Sequence, residues 1–395
     1  MRDFPDGFLF GSSTAAHQVE GSNVNNDWWA WEHAPGTPAV EPSGDAIDQL
    51  HRYDDDFALL AGLGQNAHRL SLEWSRIEPE PGEFSRAALE HYRRVLGSLG
   101  EHGLTALVTL HHFTLPRWLA ARGGWASRDA VDRFERYRER AAAALGNLMP
   151  YACTINEPQI VARFGYLEGA FPPGVRDPAL WRRVTRTFIA AHDAAVRALG
   201  AGAGSPQAGI CLQMPALEPA RPNDPGCVAL CAELQREMVD VYLEDLSGDF
   251  VGVQYYTRER LDPAVPNHNA GPPEGAPLTL MGWELFPEGL HRAITTAAAG
   301  SGLPVIVTEN GIATADDAHR IDYLRDHLTQ VGRALDDGVD VRGYMYWSSF
   351  DNFEWNEGYR PTFGLVGIDR DNGLERVLRP SAEWYGEVAR SRRLA

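Results

Sequence analysis

Lysine is missing from this 395-residue chain: all 36 of its basic residues are arginine. GC-rich coding or adaptation to salt would each produce that bias. One chemical consequence holds whatever the cause. Without lysine there is no lysine Schiff base, so Schiff-base barrel aldolases and pyridoxal enzymes are excluded. Positive charge is short overall. The 54 acidic residues leave a net charge of −18, which disfavours nucleic acid or an anionic membrane as a partner.

Long apolar runs are absent too. None approaches the roughly 18 residues of a membrane span. The start, Met1-Arg2-Asp3-Phe4-Pro5, has no basic region followed by an apolar stretch. No signal peptide is therefore expected, and the chain reads as cytoplasmic. Cysteine is sparse. Cys153 and Cys211 lie in apolar, strand-like runs, where a thiol behaves as a small hydrophobe. Cys227 and Cys231 are four apart in a helical stretch with no second Cys or His pair beside them, so no zinc site is expected. No Gly-rich phosphate turn follows the first apolar run, and neither metal nor organic cofactor is implied. No linker divides the chain. Residues 262–277 hold five prolines but are short, and read as a surface loop. Residues 1–395 are thus taken as one catalytic domain.

Hydrophobic residues make up 44% of the sequence, enough for a large core. Short apolar runs recur at residues 8–12, 67–72, 105–110, 151–155, 208–213, 250–255, 304–308 and 341–347. Helical periodicity fills much of the space between them, at 53–63, 86–102, 128–145, 181–199 and 321–336. Alternating strand and helix argues for a parallel sheet. Eight such units argue for an α/β fold of the single-domain (β/α)8 TIM-barrel type. Polar and aromatic residues gather just after the strands: His111 and His112, Asn156 and Glu157, Tyr256, Glu309, and residues 351–355. A barrel brings all of these to its C-terminal face, where active sites form.

Two strings stand out there, Thr154-Ile155-Asn156-Glu157-Pro158 and Thr308-Glu309-Asn310-Gly311. Each carries a glutamate just past an apolar, β-branched run. Paired carboxylates are the working parts of glycosidases, and retaining enzymes hold them about 5–5.5 Å apart. At ~5.5 Å and an effective dielectric of about 20, one ionised carboxylate opposes ionisation of the other by roughly 3 kcal/mol, or about two pK units. Two like residues are thereby driven into unlike roles.

The chain resembles family 1 of the glycoside hydrolases, the β-glucosidase family, from end to end. The resemblance is carried by the two glutamate strings and by four further motifs. These are Phe4-Pro5-Asp6-Gly7-Phe8 through Gln18-Val19-Glu20-Gly21, Asp249-Phe250-Val251-Gly252-Val253-Gln254-Tyr255-Tyr256, Met281-Gly282-Trp283-Glu284 and Asp351-Asn352-Phe353-Glu354-Trp355. It implies Glu309 as nucleophile and Glu157 as acid/base. It implies that Arg69 steadies the nucleophile, that Tyr256 hydrogen-bonds it, and that Asn156 meets the sugar 2-hydroxyl. Gln18, His112, Trp347, Glu354 and Trp355 would clamp the glycone. The remaining Trp28, Trp29, Trp31, Trp118, Trp125 and Trp283 are read as core or rim aromatics.

The resemblance has departures. His112-Phe113-Thr114-Leu115-Pro116 stands where His-Trp-Asp-Leu-Pro is usual, so Phe113 cannot supply an indole N–H to the sugar. Phe113 is either a looser part of the binding wall or packed under a reshaped rim. Gln254 replaces the usual asparagine. The expectation is an exo-acting retaining β-glycosidase for small-molecule β-glucosides, with β-galactosides or β-fucosides next. The alternatives are a 6-phospho-β-glycosidase, disfavoured by Glu354 and the lack of lysine, and a non-catalytic sugar-binding relative. An unrelated barrel oxidoreductase is the remaining rival.

Overall fold

The computed structural model describes residues 2–200 and 204–394. Eight parallel strands close into a barrel. They are β1 (Leu9–Ser13), β2 (Ala67–Ser71), β3 (Thr105–Thr109), β4 (Tyr151–Asn156), β5 (Gln207–Gln213), β6 (Phe250–Gln254), β7 (Val305–Asn310) and β8 (Val341–Trp347). Each pairs with its sequence neighbours, and β8 closes on β1, with Gly343 opposite Leu9. All eight apolar runs read from the sequence are strands. The seventh extends further than its β-branched run suggests. It reaches Asn310, so Glu309 lies inside the strand rather than after it.

A helix follows every strand: α1 (Gln49–Gly62), α2 (Arg86–Glu101), α3 (Ala130–Leu145), α4 (Pro178–Gly200), α5 (Pro225–Gln235), α6 (Glu288–Ser301), α7 (Asp317–Asp336) and α8 (Pro380–Ser391). α2 shows why these segments are helical. Ser85 caps it, accepting from the Ala88 N–H at 3.1 Å. Tyr92, Val95, Leu96 and Leu99 fall on one face and are all buried, as a 3.6-residue repeat requires. Asp224 and Asp316 cap α5 and α7 in the same way.

The barrel is packed, not hollow. One interior cluster takes a residue from each strand: Leu9, Ala67, Leu107, Cys153, Cys211, Phe250, Ile306 and Met345. Side chains two positions further along a strand share the same face. Arg69 therefore follows Ala67 inward, one step nearer the C-terminal mouth. Cys227 and Cys231 lie on α5, as read from the sequence. Within 262–277 the side chains are mostly exposed, with only a short helical turn at Pro266–His268. Among the described residues, no helix is long and apolar enough to cross a membrane.

Candidate active site

Both glutamate strings sit on irregularities of the sheet. Along β7, Val307 pairs with Val253 but Glu309 pairs with Gln254, so one extra residue is accommodated. Along β4, Cys153 pairs with Gly209 and Asn156 with Cys211, again with one residue extra. A bulge re-aims the side chain beyond it. Here the re-aimed groups are Glu309 and the Asn156–Glu157 pair. Glu157 itself has φ +42° and stands at the N-cap position of the short helix Pro158–Ala162, whose first residue is proline, without its side chain capping the helix. Left-handed backbone at a non-glycine residue is costly and concentrates at functional sites. Gly311 closes the second string for a steric reason. A Cβ there would lie 1.7 Å from the Trp347 carbonyl oxygen.

Arg69 lies beneath the two strings and is fully buried. It donates to Glu309 Oε1 at 2.5 Å and to Asn156 Oδ1 at 2.5 Å. A buried cation needs such partners, because removing one leaves an uncompensated charge. The Tyr256 hydroxyl donates to Glu309 Oε2 at 2.6 Å. Both oxygens of Glu309 are therefore held. The Glu157 carboxyl has no hydrogen-bond partner among the described residues.

That difference orders the two acids. Burial raises both carboxyls. For Glu157 the charges of Glu309 and Glu354 add to the rise, opposed only by Arg69, and it ends well above the usual carboxylate range. For Glu309 the rise from burial is opposed by Arg69 and by the Tyr256 and Gln254 hydrogen bonds. Of the two, Glu309 is the more readily ionised and Glu157 the more firmly protonated. Glu354 is pushed up to about 8 by burial and by the Glu309 charge. Burial, reinforced by the Arg69 cation, pushes His112 well below its usual range and keeps it neutral.

Asn156 is held from two sides. Its Oδ1 also accepts from Gln254 Nε2 at 2.8 Å. Its amide nitrogen is turned to His112 Nε2, at 3.2 Å. Since an amide nitrogen only donates, this contact leaves the neutral imidazole's proton on Nδ1. The His112 ring lies nearly parallel to Trp347 and Trp355, with both ring centroids 6.1 Å away. Gln18 donates to the Phe353 carbonyl at 2.8 Å and to Asn352 Oδ1 at 3.1 Å, while its own buried Oε1 has no partner.

These groups line a cavity of about 350 Å³. Every residue assigned a catalytic or sugar-binding role from the sequence lines it except Arg69, which lies below. Phe113 is at the wall, with φ +68° and only 6% exposed. It packs on Trp355 at 4.8 Å, His112 at 5.1 Å and Phe171 at 5.9 Å. Its neighbour Thr114 donates to both oxygens of buried Glu73, at 3.2 and 3.0 Å. The usual aspartate at that position would set a second carboxylate against Glu73. The threonine in this motif thus answers to the chain's own surroundings.

The sequence reading missed part of the wall. Trp283, read as a core or rim aromatic, lines the cavity 5.4 Å from Tyr256. Phe164, Phe171, Gln213 and Glu259 also line it. They come from the stretches after β4 and β6 and from the last residue of β5, and no motif marks them. Among the described residues no arginine lines the cavity. No group of three or more His, Cys, Asp or Glu side chains there is placed to hold a metal ion.

The family model for glycosyl hydrolase family 1 matches residues 1–260 and 243–394. β-Glucosidase A of Thermotoga maritima is 33% identical, over 99% of this chain and 98% of its own. A bifunctional β-D-glucosidase/β-D-fucosidase of Bifidobacterium breve is 31% identical over 97% of each. Among solved structures, a β-glycosidase from Pyrococcus horikoshii superposes with a TM-score of 0.93 at 35% identity, over 100% of this chain and 97% of the other.

Proposed function

The chain belongs to glycosyl hydrolase family 1, and from that premise we propose how its residues cleave a β-glycoside. It is a retaining β-glycosidase, with β-glucosides its first substrates and β-galactosides or β-fucosides next. The observation that carries the assignment of roles is the asymmetry of the two glutamates. Glu309 is held at both oxygens, and Glu157 has no partner among the described residues.

In the first step a Glu309 oxygen attacks the anomeric carbon, and the bond to the leaving oxygen breaks. Glu157 gives its proton to that oxygen. The glycosyl group is then esterified to Glu309, whose negative charge is gone. The Coulomb term that kept Glu157 protonated goes with it, and Glu157 becomes the base that takes a proton from water. Water attacks the anomeric carbon from the leaving-group side and frees Glu309, so the β configuration returns. Arg69 and Tyr256 hold Glu309 ionised and aimed. Asn156 meets the 2-hydroxyl, a contact that strengthens in the transition state. Gln18, His112, Trp347, Glu354 and Trp355 hold the remaining glycone, with Phe113 behind Trp355.

The acidic, arginine-free lining supports a neutral glycone over a 6-phosphorylated one. We read residues 1–395 as one catalytic domain acting on small-molecule glycosides, with no nucleic-acid partner. The four free thiols support a reducing compartment, read as the cytoplasm.

The test is hydrolysis of 4-nitrophenyl β-D-glucoside, β-D-galactoside, β-D-fucoside and the 6-phospho-β-glucoside, followed by NMR of the first-formed sugar. The expected result is highest kcat/KM for the glucoside and the β-anomer appearing first. No turnover would leave a sugar-binding protein. Preference for the phosphorylated substrate would overturn the glycone assignment.

A further inference from the structure

The stretch after β1 holds a buried histidine behind the wall of the catalytic cavity. His17 precedes Gln18 in the short helix Ala16–Val19 and is only 2% exposed. It does not itself line the cavity. Its ring lies almost parallel to the Trp355 indole, with centroids 5.7 Å apart and planes 12° apart. The Phe353 ring meets it edge-on at 5.9 Å. Phe353 and Trp355 flank Glu354, so His17 backs the chain on both sides of that carboxyl.

Both ring nitrogens are engaged. Nδ1 faces the side-chain amide nitrogens of Asn26 at 3.0 Å and Asn23 at 3.3 Å. Neither amide is free to turn over. Asn26 Oδ1 accepts from the Trp29 N–H at 2.7 Å. Asn23 Oδ1 accepts from the Ser75 hydroxyl at 3.2 Å, and its nitrogen also donates to Glu73 Oε2 at 2.6 Å. An amide nitrogen only donates, so Nδ1 accepts and the ring proton sits on Nε2. Nε2 faces Glu32 Oε2 at 3.4 Å, while Glu32 Oε1 accepts from the Ser43 hydroxyl at 2.6 Å. Asn26 caps the helix Asp27–Glu32, and Glu32 ends it. One short helix thus grips the imidazole with its cap and with its last residue.

Stacking alone leaves a ring free to turn, whereas hydrogen bonds at two of its atoms are directional and fix it. A phenyl ring at this position would fill similar space and leave the Asn26 amide and Glu32 Oε2 without this partner. Trp355 needs such a hold. Its backbone is left-handed, with φ +51°, a conformation that a non-glycine residue keeps only where its surroundings impose it. Trp28, on the helix Asp27–Glu32, packs against the same indole at 4.6 Å. The helix therefore reaches Trp355 twice, once directly and once through His17.

We propose that His17 is a positioning residue for glycone recognition. Locked at both ring nitrogens, it sets the plane in which the Trp355 indole meets the sugar. The proposal rests on the β-glycosidase reading above and adds to its glycone clamp a residue that acts without touching the sugar.

The test measures kcat and KM for 4-nitrophenyl β-glucoside, and the inhibition constant of glucose, in two variants whose folding is checked by Tm. His17→Phe keeps a ring against Trp355 but removes both nitrogens. Asn26→Ser keeps a helix-capping hydroxyl but withdraws the amide from Nδ1, and decides the matter if the first variant does not fold. KM and the glucose inhibition constant should rise together by about two- to tenfold, the worth of one aromatic contact, with kcat changed by less than about twofold. In a Trp355→Ala background the same substitutions should add nothing, because the residue through which His17 acts is gone. Unchanged KM and glucose inhibition in folded variants, a loss confined to kcat, or equal effects with and without Trp355 would overturn the positioning role. Failure of the wild type to cleave the aryl glucoside would overturn the glycosidase reading itself, and this proposal with it.

Discussion

The side-chain amide of Gln254 donates to Oδ1 of Asn156 at 2.8 Å, and the same oxygen accepts from Arg69 at 2.5 Å. With its oxygen doubly occupied, the Asn156 amide can present only its nitrogen upward. A glutamine on β6 thus sets which end of an asparagine on β4 faces the cavity. Gln254→Leu should lower kcat by about two- to thirteenfold, the worth of one neutral hydrogen bond. KM should change little, because the Asn156 contact matters most in the transition state. On a 2-deoxyglucoside the variant and wild type should differ less. An equal loss on both substrates would separate Gln254 from the 2-hydroxyl.

The pH profile of kcat/KM should be bell-shaped. On the proposed roles activity requires Glu309 ionised and Glu157 protonated, so it is lost below the first transition and above the second. Burial places the acidic limb above the usual carboxylate range. The basic limb carries Glu157, with Glu354 beside it pushed up to about 8 by burial and the Glu309 charge. Tyr256→Phe removes a bond that favours the charged form of Glu309. A hydrogen bond to a charged group is worth about 1.5–3 kcal/mol, so the acidic limb should move up by about one to two pH units. A downward move would contradict the role given to Tyr256.

Glu157→Ala should separate substrates by leaving group. Dinitrophenol departs without a proton, whereas methanol or glucose does not. The variant should keep most of its glycosylation rate on the dinitrophenyl glucoside and lose activity on cellobiose. Equal losses would make Glu157 a structural residue.

Phe113 is enclosed by Trp355, His112 and Phe171. A larger ring there should overpack the wall. Phe113→Trp should therefore cost about 1–3 kcal/mol of stability, read as a lower Tm. The glucoside-to-galactoside ratio should change by less than about twofold, the lower bound for a gained hydrogen bond. An unchanged Tm with a sharper ratio would mean that the indole reaches the sugar.

The strands were legible because each is an apolar run between polar helices, and Glu157 and Glu309 because their strings are distinctive. The two bulges were not. A bulge is a relation between strands, and nothing within residues 304–310 shows that Val307 and Glu309 will face Val253 and Gln254. The partnership of Gln254 with Asn156 was hidden for the same reason. Phe164 and Phe171 resemble any loop phenylalanines until the stretch after β4 folds over the mouth. Trp283 could not be told from a core tryptophan without the Tyr256 ring beside it. The reason for Thr114 in place of aspartate lies in Glu73, a residue 41 positions away that only the fold sets opposite it.

In the proposed mechanism Glu309 forms the bond to the sugar. Glu309→Gly should abolish hydrolysis of 2,4-dinitrophenyl β-glucoside, and added azide should restore turnover by occupying the vacated space. The product should be α-glucosyl azide, because the small anion attacks from the nucleophile's side. Activity near wild type without azide, or a β-glucosyl azide product with it, would contradict the assignment.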